Sequence, residues 1–232
     1  MKIDVGDVIS KVFRIYVDYA GVLLPVAAVL FLIDALFRWL GLDSVGLAFL
    51  GSVVGLILNT LYTGMVVELV NDVRDGRLDQ TVGGLFNAVT PVLLALLAVS
   101  ILAGIGIAIG LVLLIIPGLI LVTFWSVVAP VTVLERPGVF PAFGRSRELV
   151  RGNGWQVFGV IVMFILIFIA IAIVLGVIGA LLGDAGEVIL GYVGTVITAP
   201  LVALAASVVY FELKGTEAVP VTAGPEVPQG LA

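Results

Sequence analysis

The sequence predicts an all-α polytopic membrane protein with six transmembrane helices, and three observations predict it. Of 232 residues, 62% are apolar and only 12% are charged, against about 25% charged in an average soluble domain. That is too little charge to coat a water-soluble surface, and the mean hydropathy of +1.31 agrees. The charges that do occur are clustered, and the gaps between clusters are long enough to cross about 30 Å of hydrocarbon, which takes about 20 residues. The short alternating segments of an outer-membrane barrel are missing.

The first element is an amphipathic helix over 3–17. Asp4, Asp7, Lys11, Arg14 and Asp18 recur at intervals of three and four and form one polar stripe, with Val5, Val8, Ile9, Val12, Phe13 and Tyr16 opposite. Asp7–Lys11 and Arg14–Asp18 are i,i+4 pairs in the acid-first order that favours a helix. Such a helix lies at the membrane surface. With three acidic residues and no short apolar core before a small-residue site, this segment is not expected to be a cleaved leader.

The spans follow from the gaps. Fifteen uncharged residues separate Asp18 from Asp34, 24 separate Asp43 from Glu68, 55 separate Asp79 from Glu135, 32 separate Arg151 from Asp184, and 24 separate Glu187 from Glu212. The longest gap exceeds one helix and contains Pro117-Gly118, a pair that stops helices, so it reads as a hairpin. The expected spans are 20–41, 45–67, 91–115, 118–134, 155–182 and 188–211, the fifth long enough to tilt or protrude. Together they make one transmembrane domain over 1–213. The remainder, 214–232, is rich in Pro and Gly and is expected to be a disordered cytoplasmic tail.

Two more amphipathic segments sit between spans. Thr81 to Val89 carries Leu85, Phe86 and Val89. Val139 to Val150 carries Phe140, Phe143, Leu149 and Val150 against Arg145, Arg147, Glu148 and Arg151. The order surface helix, outward span, return span then occurs three times at a period of about 65–70 residues, which suggests three helix-hairpin repeats. The best echo is Ser10-Lys11 and Tyr19 against Ser146-Arg147 and Trp155, both offset by 136. Any six-span chain with cytoplasmic linkers produces the same order, so both explanations stand.

Ten of the eleven Lys and Arg residues fall on one side of the six-span arrangement, and Arg38 alone falls on the other. The positive-inside rule puts both termini in the cytoplasm. The net charge of −5 argues against nucleic acid as a partner. Histidine and cysteine are both absent, so no metal site is expected on those ligands and no cofactor is called for. The chain has no phosphate-binding Gly-x-x-x-x-Gly-Lys loop and no Gly-x-Ser-x-Gly elbow. The acidic loop Glu68, Asp72, Asp75, Asp79 lacks calcium-loop spacing. The expectation is a non-enzymatic protein.

Four constellations remain as candidates. Gly51, Gly55, Asn59 and Thr63 share one stripe of the second span. They read either as a packing seam with polar glue or as a polar path. Gly106–Gly110 and Gly179–Gly183 read as helix contacts. Asp34 lies about 20 Å along the first span with Arg38 one turn on. The two form either a functional ionisable site or a local ion pair whose Arg38 reaches outward. Arg145, Arg147 and Arg151, with Trp155 at the interface, suit anionic lipid headgroups at about 1 kcal/mol per cation, or serve only as topology determinants.

The chain also carries a set of motifs: 116–122 (Ile-Pro-Gly-Leu-Ile-Leu-Val), 129–135 (Ala-Pro-Val-Thr-Val-Leu-Glu), 142–153 (Ala-Phe-Gly-Arg-Ser-Arg-Glu-Leu-Val-Arg-Gly-Asn), 155–158 (Trp-Gln-Val-Phe) and the opening 7–16. With these it resembles the membrane domain that accompanies some bacterial glycerophosphodiester phosphodiesterases and the related YciC-like inner-membrane proteins, over nearly the whole chain to Glu212. Arg147 departs from the pattern, where an aromatic residue is frequent. The resemblance implies a six-span module of the bacterial cytoplasmic membrane. It carries over no catalytic residues, because the phosphodiesterase activity belongs to a separate soluble barrel. The expected partners are membrane lipids, with another membrane protein or a second copy of the chain as alternatives. The expected role is lipid or partner binding in envelope homeostasis; the alternative is a transporter or channel for a lipid or small amphiphile.

Overall fold

The computed structural model of the chain describes residues 3–40, 45–75 and 78–216. Among them there is no strand. The helices are α1 (Val5–Asp18), α2 (Ala20–Leu40), α3 (Val45–Asp72), α4 (Val82–Val89), α5 (Leu93–Leu113), α6 (Ile115–Phe124), α7 (Val128–Pro130, continued by a π-helical turn Val131–Glu135), α8 (Val139–Val150), α9 (Gly154–Leu182) and α10 (Asp184–Thr216). Six stretches are long and apolar enough to cross a membrane: Ala20–Phe37, Val45–Asp72, Val82–Leu113, Ile115–Glu135, Gly154–Leu182 and Ala185–Gly215.

Asp4 caps α1, its carboxylate accepting the Asp7 N–H at 2.9 Å, and Thr81 caps α4, its hydroxyl accepting the Gly84 N–H at 3.2 Å. Val8 and Val12 of α1 are fully buried and face the bundle, so part of the apolar face that the sequence reading laid on the membrane surface packs on protein. Of the two expected ion pairs, Asp7–Lys11 closes at 2.7 Å. Arg14–Asp18 is not among the ion pairs of the described residues. Each of α1, α4 and α8 precedes a hairpin, so the element order recurs three times, but the hairpins differ because the return arm of the middle one is broken.

The hairpins close through small residues and tyrosines. Across α2 and α3, a Cβ on Gly51 would press on Phe37 and one on Gly55 would overlap the Asp34 carboxylate. The Tyr62 hydroxyl donates to the Leu23 carbonyl at 3.1 Å and that of Tyr192 to the Ala28 carbonyl at 2.6 Å, tying α3 and α10 to α2. Across α5 and α6, Gly110 lies against Gly118 and Gly106 against the Trp125 ring. The turn into α10 needs the positive φ of +77° at Gly183. The core lies at the end of the bundle where α7, α8 and the end of α10 meet. Its large, fully buried side chains include Tyr62, Met65, Leu69, Leu204, Tyr210 and Leu213.

Four boundaries differ from the sequence reading. The middle hairpin does not turn at Pro117-Gly118. It turns at Leu114, the one extended residue between α5 and α6 (φ −158°, ψ 131°). Pro117 sits in the first turn of α6, where a missing N–H costs nothing, and Gly118 supplies the close approach to Leu111. The third and fourth spans therefore meet at 113–115 and not at 115–118. The fourth is not one helix either: it breaks over Trp125–Val127 because Pro130 cannot donate to the carbonyl four residues earlier. The sixth is longer than 188–211, since Glu212 and Lys214 find partners at its inner end. Of the tail expected over 214–232, residues 214–216 thus belong to α10, and 217–232 lie outside the described residues.

Candidate functional site

At the break in the fourth span, hydroxyls donate to backbone carbonyls inside an apolar arm. Ser126 Oγ donates to the Thr123 carbonyl at 2.9 Å. Ser146 Oγ, fully buried on α8, donates to the Phe124 carbonyl at 2.8 Å. Ser146 therefore pins α8 to the broken arm, and Phe143 of α8 packs edge-on against Trp125 with ring centres 4.9 Å apart.

Below the break, the π-helical turn ends on Glu135, which gathers a polar knot. Arg145 Nε donates to its carboxylate at 2.8 Å, the Tyr210 hydroxyl at 2.9 Å, and Lys214 Nζ lies 3.4 Å away. Lys214 also donates to the Tyr210 hydroxyl at 3.0 Å. The knot joins α8, α10 and the middle return arm. A second tie joins α1 to α10: Lys11 Nζ lies 2.6 Å from the Glu212 carboxylate. Its hydrogen bonds, first to Asp7 and then to Glu212, hold the Lys11 ammonium above the ordinary lysine pKa. Asn153 Oδ1 accepts the Ile3 N–H at 3.3 Å, fixing the start of the chain to the α8–α9 junction.

The three arginines of α8 and its end thus separate. Arg145 is engaged by Glu135 and, at 3.7 Å, by Glu148. Arg147 and Arg151 are exposed, and neither pairs with a carboxylate among the described residues. The Arg147 guanidinium stands 5.8 Å from the centre of the Phe124 ring. That ring forms one wall of an open groove of about 520 Å³ between α6 and α9. Leu119, Ile120, Trp155, Gln156 and Phe158 line the rest of it, and Gly152 and Gly154 lie at the end next to Arg151. Trp155 is 84% exposed. The volume falls within the range of small-molecule sites, about 300–1,000 Å³. An apolar slot with an amide in its wall, one wall ring shared with the Arg147 guanidinium and one end adjoining Arg151 in sequence, can seat a molecule with a fatty chain and an anionic head.

The intramembrane candidates do not converge. Asp34 is buried against Gly55, inside the α2–α3 seam. Arg38 belongs to α2, but its side chain is outside the described residues. Asn59 is exposed, and its carbonyl accepts the Thr63 hydroxyl at 2.8 Å, a bond within one helix. Asp34 and Asn59 therefore do not face a common interior space. Gly55, where Asp34 packs, lies 13 residues from Glu68, about 20 Å along α3. No group of three or more acidic side chains suited to a metal ion occurs among the described residues.

Sequence reasoning missed the Glu135–Tyr210–Lys214 contacts and the role of Ser146. The one usable sign was an acid closing a 55-residue apolar gap, which needs a partner at the membrane boundary. Comparison with known proteins adds nothing: no family model, no curated protein and no solved structure matches the chain.

Proposed function

We propose that this chain is a non-enzymatic, multi-pass protein of the bacterial inner membrane. In this reading both termini are cytoplasmic, and the chain binds anionic phospholipid at its inner face in the service of envelope homeostasis. The observation that carries the reading is the α6–α9 groove, whose Phe124 wall carries the Arg147 guanidinium 5.8 Å from the ring centre and whose Gly152 end adjoins Arg151, beside an Arg145 that Glu135 already engages. The fatty chain lies along Phe124, Leu119 and Phe158, and the headgroup meets the two guanidinium groups, with Trp155 at the interface. Cations near a membrane surface attract anionic lipid by about 1 kcal/mol each. The motif resemblance to phosphodiesterase-associated membrane domains supports the same setting.

The test is the melting temperature of the detergent-purified protein titrated with phosphatidylglycerol or phosphatidylcholine. Phosphatidylglycerol raises the melting temperature of the parent protein more than phosphatidylcholine does. In the double variant Arg147→Gln/Arg151→Gln the apparent affinity falls about 30-fold, the equivalent of two such cations. An equal response to both lipids, or an unchanged titration in the variant, refutes the reading.

A further inference from the structure

We infer that the groove between α9 and α10 binds a single-chain cationic amphiphile, its ammonium head on the Glu187 carboxylate and its alkyl chain running along the groove towards Thr198. The site is separate from the α6–α9 groove and does not depend on the lipid reading given above. It is an open groove of about 500 Å³, lined by Phe168, Ala172 and Gly176 of α9 and Glu187, Gly191 and Thr198 of α10, among others. Glu187 and Thr198 stand 11 positions apart on α10, about 16 Å of helix. A groove of that volume and length is about 6 Å wide, whereas a helix with its side chains is about 10–12 Å across. The dimensions suit an alkyl chain and exclude a helix of a second copy.

Two glycines keep the groove unfilled. Gly179, near the turn, is a contact glycine, since a Cβ there would lie 3.1 Å from the Glu187 Cα. At Gly176 and Gly191, both in the groove wall, a Cβ would meet nothing within 4 Å, and neither residue has a positive φ. Neither close approach nor backbone conformation accounts for these two, although glycine inside a helix costs about 0.5–1 kcal/mol relative to alanine. What they leave is room for a ligand.

The polar side chains of the groove are acceptors. Glu187 makes no ion pair and no side-chain hydrogen bond among the described residues. The Thr195 hydroxyl donates to the Gly191 carbonyl at 3.1 Å and the Thr198 hydroxyl to the Gly194 carbonyl at 2.8 Å. Both protons are therefore committed, and the oxygens keep only lone pairs to offer. No Lys or Arg occurs between Arg151 and Lys214, and Lys214 is engaged by Glu135. Neither helix supplies Glu187 with a counter-ion. A carboxylate beside apolar surface is best answered by a cation that brings its own hydrocarbon: the chain gains by burial and the head by charge. An uncharged amphiphile gains only the first term, and an anionic one is repelled.

The chain has no cysteine, so a single thiol can report occupancy. Ala172→Cys lies in the groove; Val177→Cys, at a site 57% exposed on the same helix, lies outside its lining. Each variant, in phosphatidylcholine nanodiscs, is labelled with N-ethylmaleimide while dodecyltrimethylammonium, dodecanol or dodecyl sulfate is added at equal mole fraction in the bilayer. The ammonium slows labelling of Ala172→Cys at a lower mole fraction than the other two and leaves Val177→Cys unchanged. Adding Glu187→Gln raises its half-protecting mole fraction about fivefold, the upper range for an exposed ion pair. Adding Gly191→Leu, which fills the groove, abolishes the protection. In both backgrounds Val177→Cys keeps its labelling rate, which shows that the fold is intact. Equal protection by the three amphiphiles, or an unchanged titration in Glu187→Gln, overturns the inference. So does an Ala172→Cys thiol that is closed to maleimide without any amphiphile and opens only on denaturation, the sign of a second copy seated in the groove.

Discussion

Around Glu135 the side chains are buried and cross-linked, whereas along the outer two-thirds of α9 the chain is almost bare. Of the 29 residues of α9, only Val157, Val160, Phe164 and Gly179 are buried, three of them within its first eleven. At the inner end the buried residues are large: Tyr62, Met65, Leu204, Tyr210 and Leu213. The difference reflects the two solvents. Where helices leave the membrane, burying apolar surface is rewarded and polar partners must be found. Where they stand in lipid, no hydrophobic force draws them together, and close approach through small residues does the joining. The glycines follow this division. Gly51 and Gly55 meet α2, Gly106 and Gly110 meet α6 and the Trp125 ring, and Gly179 meets the backbone of Glu187.

The sharpest way to break this contrast is to cut the knot at the inner end. Glu135→Ala removes the 2.8 Å carboxylate contact of Arg145, whose side chain is 28% exposed, and removes partners from Tyr210 and Lys214. Removing one member of a fully buried pair costs about 3–5 kcal/mol. With both side chains partly exposed, the expected loss is about 2–3 kcal/mol, a drop of roughly 5–10 °C in a thermal melt in detergent. Arg147→Gln, two residues from Arg145 but exposed, leaves the melting temperature within about 1 °C. If the two variants melt alike, the knot does not hold the inner end.

The next largest effect lies in the arms. A Cβ on Gly118 would come within 2.7 Å of the Leu111 backbone nitrogen, so Gly118→Val forces α5 and α6 apart; around Gly104, on the same hairpin, there is nothing within 4 Å. Gly118→Val is expected to cost about 2 kcal/mol by overpacking, and Gly104→Val far less. Paired thiols across the seam, scored by cross-linking, check that the loss comes from separation. Equal melting of the two glycine variants would mean that the arms do not depend on close contact.

How much of this could be read in the sequence follows the same division. The surface helices were legible because their periodicity is local: α8 spans the expected 139–150, and α1 is displaced by one or two residues. The glycine spacing named the seams, though not their partners. Pro117-Gly118 misled because proline marks a helix start as readily as a stop, and the true turn, Leu114, carries no residue-type signature. Pro130 was visible, but the capture of the Phe124 carbonyl by Ser146 beside the break is a contact across 22 residues. The knot was not legible at all. Glu135 meets Tyr210 and Lys214 across 75 and 79 residues, a pairing that only the assembled hairpins create. It also changes the reading of the arginine cluster, which the sequence presents as three equivalent cations.

The smallest expected effect is at the outermost tie, where the inner end meets water. Lys11 binds Asp7 and Glu212, but its side chain is 43% exposed. Exposed pairs contribute about 0.2–1 kcal/mol, so Lys11→Met lowers the melting temperature by about 2 °C or less. Its pH dependence identifies the cause. The hydrogen bonds to Asp7 and Glu212 raise the folded pKa of Lys11 above its ordinary 10.5. The stabilisation is then complete below the ordinary value and fades only as pH climbs through the raised one. The difference in melting temperature between the parent chain and Lys11→Met should therefore stay constant between about pH 6 and 10 and narrow above that range. A difference that instead closes near neutral pH would assign the stabilisation to some other group, and α1 would be held by Val8 and Val12 alone.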